Sequence, residues 1–295
     1  MPELPLEKPK IVSDFADEIS QKNVLEKMRQ GYESGEDEFA TLAKLYPETE
    51  YVGNGSQVFV IGHPRDDEKV VAFNIFDGEL SRNPIRAMEL YHLHRFLHIL
   101  FPHNFPQFYS VAGGENAQSV RQRVNSSPET PVRFPFSEVV NQSERIGFPL
   151  QIDGSAHNFV VASDGGEYYF DTVMTPNSNI FFENFDRSKL VEFMKNQGID
   201  PKSQRRAMNS LKRLRELDVI STIGYVLKNH KSLTEEGFDL SSNNWLDDMI
   251  KRDDFRFNAL DEGSLNRIKR FTELLEVPNE HESEREKVIT YLSKT

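Results

Sequence analysis

Apolar residues return every three to four positions through the first part of the chain. Phe15, Ile19, Val24, Leu25 and Met28 form one stripe, and Phe39, Leu42, Ala43 and Leu45 a second. That spacing predicts helices burying one face over residues 13–46. Ser13 stands where it would cap the first of them, and residues 1–12 read as a loose arm. The period then shortens. Residues 51–62 and 69–76 predict two strands joined by a polar turn over 63–68. Helical spacing resumes at 84–100, with Asn83 as cap, Pro84 in the first turn and Leu90, Leu93, Leu97 and Leu100 on one face. Residues 107–111 and 119–124 are short strands. A Ser/Pro-rich break over 125–131 is the expected boundary between two lobes.

Beyond the break, two apolar runs at 159–162 and 168–170 flank Ser163-Asp-Gly-Gly166, the pattern of a hairpin. The remainder is helical in spacing: 186–197, 201–217, 219–229, 244–252, 262–275 and 281–293. The second of these is basic on one side, through Arg205, Arg206, Lys212, Arg213 and Arg215. Residues 276–284 are acidic enough to read as partly disordered.

Composition narrows the function classes. The 295 residues are 37% hydrophobic and 28% charged, a soluble balance. A net charge of −12 argues against nucleic-acid and anionic-membrane partners, which need basic surface. There is no cysteine, so disulfides, thiolate metal sites and a cysteine nucleophile are excluded. No basic, apolar leader and no run long enough to span a bilayer is visible, and a cytoplasmic location is the expectation. No Gly-x-Ser-x-Gly elbow occurs, which sets hydrolase triads aside.

Three polar residues concentrate the candidate chemistry. Asp153, Asn158 and Asp171 lie in Gln151-Ile-Asp-Gly-Ser-Ala-His-Asn158 and at the far end of the hairpin, Tyr168-Tyr-Phe-Asp171. Antiparallel pairing brings the hairpin's outer ends together, so that Asn158 and Asp171 would share one cation with Asp153 on the preceding loop. In spacing and hairpin context the segment resembles the catalytic and metal-binding loops of the protein-kinase-like superfamily, which includes the aminoglycoside phosphotransferases. The resemblance implies Asp153 as the catalytic carboxylate facing an acceptor hydroxyl, and Asn158 and Asp171 as magnesium ligands. Gln151 and Ile152 stand where His and Arg are usual, and Thr172-Val173 replace Phe-Gly after the metal Asp.

The same resemblance assigns upstream parts. Gly53, Gly55 and Ser56 would cover nucleotide phosphates, because glycine lets backbone N–H groups approach closely, although a third glycine is missing. Val71-Ala-Phe-Asn74 matches the strand that normally ends in a phosphate-binding lysine, with Asn74 in its place. Lys69 is five positions back and points to the opposite face. Glu89 falls where the lysine's helix partner would lie; alone it reads as solvated surface. Arg121 or Arg123 would supply the missing charge, or would simply alternate toward solvent. His157 either touches substrate or is an ordinary loop histidine. His94 and His98 have zinc spacing, but no Glu follows His94, and with His92 and His103 they read as packing or surface residues.

The expectation is therefore an α+β, two-lobed kinase-like fold. Residues 1–50 form an arm with helices, 51–124 a small antiparallel β-rich lobe, and 125–295 a mainly helical lobe. It would bind ATP with Mg2+ and transfer the γ-phosphate to a hydroxyl of a protein or small molecule. The alternatives are a pseudokinase-like regulatory module, which Asn74 favours, and an α+β interaction protein in which the hairpin match is fortuitous.

Overall fold

Five antiparallel strands dominate the first half of the chain. The structure, a computed structural model, describes residues 26–27, 30–31, 34–35, 38–45, 47, 49–54, 58–74, 84–112, 118–127, 137–150, 152, 158–163, 165–170, 186–240, 242, 244–251 and 260–294. Helix α1 (Glu38–Leu45) precedes β1 (Tyr51–Asn54), β2 (Val58–His63) and β3 (Asp66–Asn74). Helix α2 (Pro84–Leu100) intervenes before β4 (Phe108–Ala112) and β5 (Gln118–Gln122). The sheet order is β1-β2-β3-β5-β4.

β3 is central, and its sequence says why. Val70, Val71, Ala72 and Phe73 are all buried, so both faces of the strand are covered and the apolar run does not alternate. Helix α2 packs along β4. Its predicted stripe, Leu90, Leu93, Leu97 and Leu100, is buried throughout.

The expected strand over 51–62 is instead a hairpin: β1 and β2 pair antiparallel, with Asn54 opposite Phe59. Gly53 therefore lies inside β1 and opposite Val60, at an irregularity in the ladder. The expected polar loop over 63–68 is a two-residue turn, because His63 pairs with Asp66 and β3 starts there. The backbone N–H of Arg65 donates to His63 Nδ1 at 3.2 Å, and Lys69 pairs with Asp66. Polar residues here sit on a projecting strand end, which composition alone reads as loop.

The rest is mainly helical: α3 (Ser137–Arg145), then the hairpin β6 (Phe159–Val161) and β7 (Glu167–Tyr169), then α4 (Arg187–Asn196), α5 (Pro201–Lys228), α6 (His230–Glu235), α7 (Asn244–Lys251), α8 (Glu262–Leu274), a 3-10 turn Asn279–His281, and α9 (Glu282–Leu292). Asp186 and Asp200 cap α4 and α5 by accepting from backbone N–H groups two and three residues on. Gly198, at φ 69°, closes α4 in the left-handed conformation that glycine adopts without strain. The two helices expected over 201–217 and 219–229 are one. Leu214, Leu217, Val219, Ile220, Ile223 and Leu227 are buried in succession, and that packing carries the helix through residue 218. The stretch expected to be partly disordered, 276–284, contains the 3-10 turn and the start of α9: His281 is buried and its Nδ1–H donates to Leu227 O at 2.6 Å. Helices α3 and α6 were not anticipated. The first expected helix, over 13–28, falls almost wholly outside the described residues.

The chain divides into two compact units. One comprises Met1–Ser137 and Ile152–Val173; the other comprises Glu138–Gln151 and Met174–Thr295. The small hairpin thus belongs with the five-stranded sheet. Among the described residues no helix is long and apolar enough to cross a membrane.

Candidate functional site

The hairpin forms where the two apolar runs predicted it. Phe159 pairs with Tyr169, Val160 with Tyr168 and Val161 with Glu167. Gly165, at φ 83°, makes the turn. Pairing extends one step outward, where the Phe170 N–H donates to Asn158 O at 2.9 Å. Asn158 is buried and stands opposite Phe170, the residue immediately before Asp171. Asp153, His157 and Asp171 lie outside the described residues, as do Gly55 and Ser56.

Both sides of the hairpin are tied to the first unit. The Tyr169 N–H donates to Asn104 O at 2.9 Å, and Asn104 Nδ2 donates to Glu167 O at 3.2 Å. On the other strand the Ser127 N–H donates to Val161 O, the Ser163 N–H donates to Asn125 O, and Ser126 bridges Ala162. The start of the 125–131 segment, read from sequence as a break, is therefore engaged by the hairpin. Asn104 carried no signal beyond its place in a Pro-flanked helix stop.

Arg121 makes a further tie. Its Nη1 donates to Phe170 O at 3.1 Å and its Nε donates to Ser119 Oγ at 2.8 Å. Its guanidinium lies over the Phe108 ring, 4.5 Å from the centroid. Arg121 pairs with Val70 and Ser119 with Ala72, so strand alternation places position 74 on this same face of the sheet. Arg123 ends elsewhere, in an ion pair with Glu50 at 2.5 Å. Lys69 belongs to the opposite face, paired with Asp66 and 4.7 Å from the Tyr109 ring centre. Glu89 binds Arg86 of its own helix at 2.8 Å.

The histidines of α2 pack. His94 is buried and stacks on Phe108. His98 Nδ1–H donates to Phe105 O at 2.9 Å. Burial lowers the pKa of both below the ordinary imidazole range, far below it for His94. No group of three His, Asp or Glu residues that could hold a metal ion occurs among the described residues.

Against known proteins, no family model, no curated protein and no solved structure matches this chain.

Proposed function

We propose that the chain is a kinase-like protein that binds ATP with Mg2+ beside the β6–β7 hairpin and transfers the γ-phosphate to a hydroxyl acceptor. The supporting observation is the placement of Asn158. It is buried at the hairpin's outer end, opposite Phe170, and Arg121 ties Phe170 to the sheet face that includes position 74. The element order agrees: a glycine-containing connection between β1 and β2, a helix between β3 and β4, then the hairpin and the helices.

Asn158 offers an amide oxygen and Asp171 a carboxylate, the hard donors that magnesium takes alongside phosphate and water. The ion would supply charge neutralisation on the phosphates. Asp153 would orient the acceptor hydroxyl and take its proton, and the Gly53–Ser56 segment would offer N–H groups to the phosphates. Transfer of this kind is mostly positioning and electrostatics.

A second reading, a pseudokinase-like binding module, is favoured by one specific feature. Asn74 carries no charge where the phosphate-binding lysine is usual, and Glu89 is already paired with Arg86. A thermal-shift titration with ATP, with and without magnesium, tests the shared premise. A ligand at about 100 times its Kd adds about 2.7 kcal/mol of stability, so magnesium-dependent stabilisation is the expected result. Stabilisation without turnover across an acceptor panel would favour the binding module. No stabilisation at saturating ATP would remove both readings.

A further inference from the structure

The basic side of α5 has no part in the proposed nucleotide site. Over residues 186–213, α4 and the first half of α5 hold eight Lys and Arg against three Asp and Glu, in a chain with 35 and 47. On α5 these cations share one side. Lys202, Arg205, Arg206, Asn209 and Arg213 repeat at intervals of three and four, while Ala207, Ser210, Leu211 and Leu214 are buried opposite. The stripe is about 16 Å long at the helical rise per residue. Its far end is engaged: Arg213 pairs with Glu216, and Lys212 beside it with Asp261. At its near end Lys202, Arg205 and Arg206 are exposed and make no ion pair among the described residues. The same holds for Lys189 and Lys195 of α4.

This placement works against the helix. Lys202 and Arg206 are like charges four residues apart, which repel. With Arg205 they lie in the first two turns, where the backbone dipole favours anions, and neither α4 nor α5 has an acidic residue in its first turn. The backbone N–H groups there are already occupied by the caps. Asp200 accepts from Lys202 and Ser203, and Arg206 acts on that carboxylate through space. A bound polyanion would relieve the repulsion along the stripe. Its surroundings narrow the kind. A long polyphosphate would run past the stripe onto a chain that is otherwise strongly acidic. Stacking a base needs an exposed aromatic ring, and entering a membrane needs exposed apolar side chains. The exposed residues of the stripe, Lys202, Arg205, Arg206 and Asn209, supply neither.

We propose that this face of α5 is a docking surface for a short acidic segment of another protein, whose carboxylates repeat every three to four residues and meet Lys202, Arg205 and Arg206. The docking surface does not depend on the kinase-like reading.

Fluorescence anisotropy on the 295-residue chain tests it. The probe is a labelled peptide about 12 residues long, the helical length of the stripe, with Glu at every third and fourth position. Binding is expected, and it weakens as salt rises from about 0.05 to about 0.3 M. Arg205→Glu with Arg206→Glu is expected to weaken it at least about tenfold, through two lost pairs and two new repulsions. Lys228→Glu with Lys231→Glu makes the same change in net charge away from the stripe and is expected to leave binding nearly unchanged. Thermal melts report folding; Arg205→Gln with Arg206→Gln carries the test if the reversal unfolds the chain. Absence of binding, binding that survives both arginine variants, or an equal loss in the lysine pair would each overturn the docking surface. So would equal affinity for a single-stranded oligonucleotide of the same charge or for phosphatidylserine vesicles. Self-association in sedimentation that the arginine reversal abolishes would make the occupant a second copy and overturn it as well.

Discussion

Arg121 and Arg123 are two residues apart yet end in different surroundings. One guanidinium reaches the hairpin at Phe170; the other pairs with the exposed carboxylate of Glu50. Position 74 shares the sheet face of Arg121, so Asn74→Lys is expected to place a charge there and to tighten ATP binding about tenfold, the value of one charge-assisted hydrogen bond. Calorimetric titration reads this directly; unchanged affinity would mean that Arg121 already supplies the charge. In the second unit, Glu216 is 3% exposed and accepts from Arg267 Nε at 2.9 Å and Nη2 at 2.6 Å, from Arg213 at 2.8 Å and from Ser264 Oγ at 2.7 Å. Its arginine partners are 35% and 40% exposed, so they can turn to water and the glutamate cannot. Arg267→Met is therefore expected to cost about 3 kcal/mol, and Glu216→Met clearly less. Urea unfolding of the two variants decides; equal losses would contradict the asymmetry.

Among the elements, α8 depends on an ionised cap. Asp261 accepts from the Ser264 N–H at 2.9 Å and pairs with Lys212 of α5, and these bonds lower its pKa to about 2. A carboxylate with a depressed folded pKa stabilises above its unfolded value, about 3.9, and that stability is lost as pH falls through the folded value. Asp261→Asn keeps a capping oxygen but does not titrate, so the variant is expected to lose less stability than wild type between about pH 4 and about pH 2. Parallel acid-unfolding curves would contradict this. Asp261→Ala is expected to cost about 1 kcal/mol, mainly through the lost cap, because the exposed Lys212 pair is screened. Part of this was legible in sequence. Pro84 and Leu90-Leu93-Leu97-Leu100 carry local rules, and their helix appears where those rules place it. The β6–β7 pairing was likewise readable from two apolar runs and a Gly-containing turn. Asn54 opposite Phe59 and the continuity of α5 through Asp218 depend on tertiary contacts that no local pattern encodes. The ties made by Asn104 and Arg121 join residues 49 to 65 positions apart, which periodicity does not see.

At the level of the whole chain, the two units are interleaved in sequence. A cut after residue 137 removes the hairpin segment Ile152–Val173 from the unit to which it belongs. Phe105 then loses Tyr169, and Arg121 loses Phe170. A 1–137 fragment is expected to bind hydrophobic dyes and lack fixed near-ultraviolet dichroism; a cooperative melt from that fragment would contradict the assignment. The functional account places magnesium-dependent nucleotide binding at Asn158 and Asp171. Calorimetric titration of the 295-residue chain with ATP, with and without magnesium, beside Asp171→Ala and Asp153→Ala, tests it most directly. The account predicts binding to wild type that requires magnesium, its loss in Asp171→Ala, and nearly unchanged binding in Asp153→Ala, because the role proposed for that carboxylate is toward the acceptor and not the nucleotide. Wild-type protein that binds no ATP, or an Asp171→Ala variant that binds as wild type does, would contradict it.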